Sequence, residues 1–543
     1  MDLEIRGEKQ DMSTTTMADH DFSPWKPRSN PWFIAIAVML GTFMEVLDTS
    51  IANVALPHIA GSMAITPDQA TWILTSYLIS NAIVLTCTGW LSRTFGRKRF
   101  LLTCIVIFTT ASMVCGLATN IGMLIVARVI QGMGGGALQP SAQAILLESF
   151  PYAKRGKAMA FYSFGVIFAP VIGPTLGGWI TDSFTWRWIF FINLPVGILA
   201  LALISALVED PPYIKNARKT RLDFVGLALL SLWVGTLQVV LDKGQQADWL
   251  GAVWVRWFVA ISLLGFLAFV AWELTSDNPL VDLRVLKNRN FLAGTTIVFV
   301  IGIVLYATTA LLPLFLQTLL NYSALQSGLA VSPRGLGSIA AILIVGNMMN
   351  ILDRRFLMTA GLLLLAYSSF QLGQLDLDIA MFSVTWCIII NGFSTPMLFI
   401  PLTTSAVGTL KNEQIGNATS IYNLMRNIGG SFGISITTTL LSRVSQGSQN
   451  FLVQRITPLN LQFADKTASL RNLMRHQGTP ALASQRVMDL IYHNVLQQAG
   501  ALSFIYNFRL LAVLCVCCVP LLFMFKLPTI KSHDKPALAA AEA

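Results

Sequence analysis

The chain has 543 residues, of which 54% are apolar and only 12% charged, with a formal net charge of +10. So few charges cannot coat a water-soluble surface of this size, and lipid must be the solvent for most of the chain. The location of the positive charge argues against a nucleic-acid partner, because 24 of the 37 Lys and Arg fall in segments on one side of the apolar runs described next.

About 20 apolar residues cross a ~30 Å hydrocarbon layer, and fourteen such runs follow one another. They are Trp32 to Pro57, Gln69 to Leu91, Phe100 to Ala118, Ile121 to Leu147, Ala158 to Thr181, Trp188 to Val208, Leu222 to Leu241 and Val253 to Leu274. Six more follow: Phe291 to Leu319, Leu325 to Asn350, Phe356 to Gly373, Ile379 to Val407, Ile415 to Leu441 and Ala501 to Phe525. The first is too long for a signal-peptide core and lacks a small-residue cleavage site, so it is expected to remain as a membrane helix. The positive-inside bias predicts that both termini are cytoplasmic.

Spans 1 to 6 and 9 to 14 read as two related halves, with spans 7 and 8 inserted between them. Gly96-Arg97-Lys98-Arg99-Phe100 after span 2 is echoed by Asp353-Arg354-Arg355-Phe356 after span 10. Gln131-Gly132 and Pro140 in span 4 are echoed by Asn391-Gly392 and Pro401 in span 12. The fold class is therefore an all-α integral membrane protein with a substrate site between the halves near the bilayer midplane. The divisions are an N-terminal tail (1–31), a six-helix half (32–208), a linker region with two inserted spans (209–290), a second six-helix half (291–525) and a C-terminal tail (526–543). Ser442 to Gly500 is read as one long outer loop with an amphipathic stretch from Ala481 to Gln498.

Span 1 carries two carboxylates, Glu45 and Asp48. Each costs roughly 2.5 to 3.5 kcal/mol inside a membrane helix, so both must face a cavity or a partner. Their i, i+3 spacing puts them on one helix face, where two carboxylates in low dielectric cannot both ionise easily, an arrangement that suits a proton carrier. Arg128 in span 4 is the natural partner: counted from the outer ends, it lies ~10 Å deep and Asp48 ~14 Å deep. Glu45 as a packing residue and the Asp48–Arg128 pair as purely structural are the plainer alternatives.

Span 5 places Gly165, Ala169, Gly173 and Gly177 four apart on one face, beside Pro170 and Pro174. Such a stripe lets a neighbouring helix approach closely. Arg334, Arg426 and Arg509 are further intramembrane cations with no carboxylate in their own half to neutralise them, and Arg334 and Arg426 are candidates for the cavity wall. An arginine there would favour an anionic or neutral substrate. Asp223 reads as the structural N-cap of span 7. The seven cysteines have no metal or disulfide spacing, and Gly156-Lys157 has Pro151 where a phosphate-binding loop needs its first glycine. No catalytic residues, metal or cofactor are expected, and transport must draw on an ion gradient.

Over residues 32 to 525 the chain resembles the fourteen-helix drug:proton antiporters of the major facilitator superfamily, EmrB/QacA subfamily. The residues that carry the likeness are Leu47-Asp48-Thr49 through Ala55-Leu56-Pro57, Arg128 with Gln131-Gly132, Gly165 through Gly178, Leu241-Asp242-Lys243-Gly244 and Pro333-Arg334-Gly335. Gly89 to Lys98 is similar to the superfamily's cytoplasmic gating loop, with Gly89, Gly96, Arg97 and Lys98 in place but Arg93 where many members have aspartate. The resemblance implies a major facilitator fold and proton-coupled export of drugs or other amphipathic toxic molecules across the inner membrane. It also implies lipid, protons and substrate as partners, with a periplasmic membrane-fusion adaptor and an outer-membrane channel meeting the long outer loop. A symporter, an exporter of one specific metabolite and a transporter-like sensor stand as alternatives.

Overall fold

The computed structural model describes residues 27–525 apart from 152–153, 212–213, 215–222, 278, 323, 350, 375–380, 409, 411, 455, 457–462, 464, 466 and 471–479. The sequence-based division into terminal tails therefore lies almost wholly outside the described residues.

The first half comprises α1 (Pro31–Ser62), α2 (Pro67–Phe95), α3 (Arg97–Gly116), α4 (Ile121–Ser149, loosened at Gly136-Ala137), α5 (Arg155–Ser183) and α6 (Trp188–Leu207). Then come α7 (Phe224–Lys243) and α8 (Val253–Thr275). The second half comprises α9 (Arg289–Thr318), α10 (Ala324–Val331 and Arg334–Met348, broken at Pro333), α11 (Arg354–Leu372), α12 (Met381–Val407), α13 (Asn412–Val453) and α14 (Pro480–Leu522). Thirteen of the fourteen are long and apolar enough to cross a membrane. The remaining one, α13, fails on composition, because the polar residues that lower its hydropathy, among them Ser420, Asn423 and Arg426, are buried against other helices.

Local signals set the helix starts. Asn30, Asn120, Asp223, Asn288 and Asp353 each accept a backbone N–H of the first turn, and Thr66 forms a capping box with Gln69 ahead of Pro67. Asp223 thus caps α7, accepting from the Gly226 amide at 2.9 Å. Gly96 makes the sharp turn between α2 and α3 at φ +87°, and a side chain there would press on the Asp210 carboxylate.

The two halves repeat the same packing. α1 lies on α5 as α9 lies on α13, α2 on α4 as α10 on α12, α3 on α4 as α11 on α12, and α3 on α6 as α11 on α14. The halves meet along two seams: α2 and the latter part of α4 against α13, and α5 against α10 and α12. α7 packs on α8, and also on α2 and α13, so it bridges the first seam. Thr75 of α2 bonds Asp242, Lys243 bonds Thr71, and Ser431 of α13 bonds Gln238 at 3.0 Å.

The segment read as one long loop is helical at both ends. α13 runs on to Val453 and α14 begins at Pro480. At 42 and 43 residues each helix is about 63 Å long, roughly twice the hydrocarbon thickness, so both stand well clear of it.

Candidate functional site

Asp48 lies at the centre of the first half, 2% exposed, and Arg128 is fully buried beside it. Arg128 Nη1 reaches Asp48 Oδ2 at 2.6 Å. The other carboxylate oxygen accepts from Gln131 Nε2 at 2.9 Å and from Asn193 Nδ2 at 2.7 Å. Arg128 is held in turn by Gln131 Oε1 at 2.8 Å and the Ile73 carbonyl at 3.2 Å, with its guanidinium 4.3 Å over the Tyr77 ring. Asn193 is fixed by Ser112, which itself bonds the Phe190 carbonyl. Helices α2, α3, α4 and α6 thus converge on the Asp48 carboxylate of α1. Removing one partner of such a buried pair strands the other charge, at a cost of roughly 3–5 kcal/mol.

Glu45, one turn away, has a different environment. Its oxygens accept from Gln139 Nε2 at 2.7 Å, Asn81 Nδ2 at 3.3 Å and the Tyr77 hydroxyl at 3.4 Å. All three donors are neutral, and among the described residues no cation lies within ion-pair distance of Glu45. Beyond Gln139 lies a cation of the other half: Arg426 of α13 donates to Gln139 Oε1. Tyr77 touches both clusters, so Asn193, Asp48, Arg128, Tyr77, Glu45, Gln139 and Arg426 form one continuous polar path from the core of the first half across the seam.

The stripe on α5 faces α1. Side chains at Gly165 and Gly173 would overlap Met39 and Ser50, a Cβ at Gly177 would lie 3.1 Å from Ile51, and Ala169 is fully buried. The opposite edge of α5 meets α10, where Gly335 faces Phe168 and Val171 and Gly328 faces Pro174 and Thr175. Pro170 and Pro174 lie within the helix, and Pro174 is itself part of the contact with α10.

At the end of the bundle that carries Arg97, Lys98, Arg354 and Arg355, here the basic end, Gly89 of α2 lies against Asn417 of α13; a Cβ there would sit 2.8 Å from the Asn417 Cα. Arg97 pairs with Glu148 at the end of α4, both buried. The Lys98 amide donates to Asp210 at 2.8 Å and its ammonium to the Ser205 carbonyl at 2.6 Å. Arg93 is exposed on the outer face of α2.

In the second half Arg334 donates to Thr309 at 2.8 Å, and Arg509 donates to the Gly373 carbonyl at 3.0 Å, away from the seams. Gln139, Asn193, Asn81, Tyr77, Glu148 and Asp210 escaped the sequence reading. Glu148 and Asp210 lie just past the ends of apolar runs, where carboxylates are ordinary, and the others are uncharged. The remaining signal is a set of glutamines at eight- and four-residue spacing, Gln131, Gln139 and Gln143, in an otherwise mostly apolar helix.

A family profile described as Major Facilitator Superfamily matches residues 38–434. The multidrug export protein EmrB of Escherichia coli K12 is 37% identical over 458 residues, covering 84% of this chain and 89% of that protein. The fatty acid resistance protein FarB of Neisseria gonorrhoeae is 34% identical over 513 residues, covering 94% and 98%. Among solved structures, the human organic anion transporter MFSD10 superposes with a TM-score of 0.60 at 15% identity over 91% of this chain and 99% of its own. The proton:xylose symporter XylE gives 0.56 at 16% identity over 91% and 95%. These two share the fold alone. On the profile match, the 37% identity and the repeated six-helix halves, this multi-pass membrane chain belongs to the Major Facilitator Superfamily, among its EmrB-type drug exporters.

Proposed function

We propose that the protein is a proton-driven antiporter that exports amphipathic drugs or toxic compounds across the inner membrane. The observation that carries the reading is the polar path from Asp48 to Arg426, which links a buried carboxylate in one half to a cation in the other. A proton reaching Asp48 discharges its pair with Arg128. The freed guanidinium shifts against Tyr77, and Tyr77 and Gln139 pass the change through Glu45 to Arg426. Loosening that last contact unlocks the seam between α4 and α13, and the halves rock to expose the cavity to the other side. The basic end is cytoplasmic on this reading, with Gly89, Gly96, Arg97 and Lys98 in the gate that closes there. The multidrug and fatty acid resistance relatives support toxic amphiphiles as cargo.

The projecting parts of α13 and α14 offer the surface on which a periplasmic adaptor leading to an outer-membrane channel would dock. Phe451, Val453, Met488 and Tyr492 are exposed there. The test is reconstitution: in proteoliposomes, an imposed proton gradient should drive uphill movement of an amphipathic anionic or neutral dye, and the dye should drive counterflow of protons. Movement of dye and protons in the same direction would establish a symporter instead, and proton release without dye movement a sensor.

A further inference from the structure

The second half holds a small, mainly apolar pocket walled by Leu312, Val331 and Ile388, onto which Thr308, Thr309, Arg334 and Asn391 also border. Its geometry repeats that of the proton site. In the first half, Gly132 of α4 packs on the backbone carbonyl of Tyr77, and the preceding residue, Gln131, turns to the carboxylate on α1. In the second half, Gly392 of α12 packs on the backbone carbonyl of Arg334, and the preceding residue is Asn391. Asn391 therefore stands where Gln131 stands, and Arg334 where Tyr77 stands. On α9, the counterpart of α1, this pocket presents the hydroxyls of Thr308 and Thr309 and no carboxylate.

Two observations point to a ligand. Asn391 is 2% exposed, yet neither polar atom of its carboxamide has a partner, an arrangement that is costly unless something else satisfies it. Arg334 has only the Thr309 hydroxyl as side-chain partner and no carboxylate within ion-pair distance among the described residues. A planar guanidinium beside a carboxamide donor matches the two oxygens of a carboxylate. The apolar wall suits a hydrocarbon chain attached to it.

We propose that Arg334, Asn391 and Thr309 form a binding subsite for the carboxylate of an anionic amphiphile, supplying the negative charge that Asp48 supplies in the first half. This rests on the exporter reading and names one class of cargo for it. The test uses the full chain in lipid nanodiscs with dansyl-undecanoic acid and its methyl ester as probes. Arg334→Gln should weaken binding of the acid by about ten-fold or more, the scale of a lost charge-assisted hydrogen bond, while affinity for the ester stays within about two-fold. Asn391→Asp, which restores a carboxylate beside the arginine, should exclude the acid in the same way without altering the backbone contact at Gly392. Equal losses for acid and ester, or unchanged acid binding in both variants, would overturn the subsite. Gradient-driven dye movement by the wild type is scored separately, so failure of the subsite and failure of the exporter reading remain distinct.

Discussion

Gln139 of α4 and Arg426 of α13 hydrogen-bond across the seam between the two halves, and the same carboxamide donates to Glu45 at 2.7 Å. One side chain therefore reads a carboxylate in the first half and a cation in the second. Closure of this seam should depend on it.

Gln139→Met keeps the length and removes both hydrogen bonds. The bond to Arg426 crosses the seam, involves a charged group and contributes about 1.5–3 kcal/mol, so the population closed at this seam should fall at least about ten-fold relative to the open one. Spin labels at Arg93 on α2 and Gln414 on α13 should then report a longer mean distance than in the parent; an unchanged distribution would remove Gln139 from the coupling path.

The basic end makes a second test possible. Arg97 finds its counter-charge in buried Glu148, whereas Arg93 is exposed. Glu148→Gln strands a buried guanidinium, at roughly 3–5 kcal/mol, and should open the same label pair and depress export. Arg93→Ala should leave export within error. The reverse ranking would show that position 93, not 148, sets the gate.

Packing of α1 on α5 gives a prediction free of charge. A methyl group at Gly173 would collide with Ser50, while at Gly178 it would meet nothing within 4 Å. Gly173→Ala should destabilise the purified protein by about 1–3 kcal/mol, and adding Ser50→Gly should recover much of the loss. Gly178→Ala should be silent. Thermal unfolding in detergent measures all three, and equal midpoints for the two alanine variants would contradict the packing argument.

The sequence showed the spans, the two halves and the Asp48–Arg128 neighbourhood because charge inside an apolar run is conspicuous, and depth along a helix can be counted. Even α13, the least apolar of the helices, was legible as the run Ile415 to Leu441. Asn193, Gln139 and Tyr77 were not legible, since an uncharged polar residue in a membrane helix does not reveal which of several neighbours it faces. The long outer segment was mistaken for a loop because its residues lack the apolar pattern of a span. Yet α13 and α14 continue as helices where water, rather than lipid, surrounds them.

The proposed role of Asp48 as proton carrier is tested most directly by Asp48→Asn, which keeps the size and polarity of the side chain but can neither ionise nor release a proton. The variant is purified, confirmed as folded by size exclusion and reconstituted with an imposed proton gradient. Uphill substrate accumulation should fall to the level of empty liposomes while substrate exchange down its own gradient persists, and substrate binding should lose its dependence on pH. Proton-driven accumulation equal to that of the wild type would contradict the account and transfer the role to Glu45.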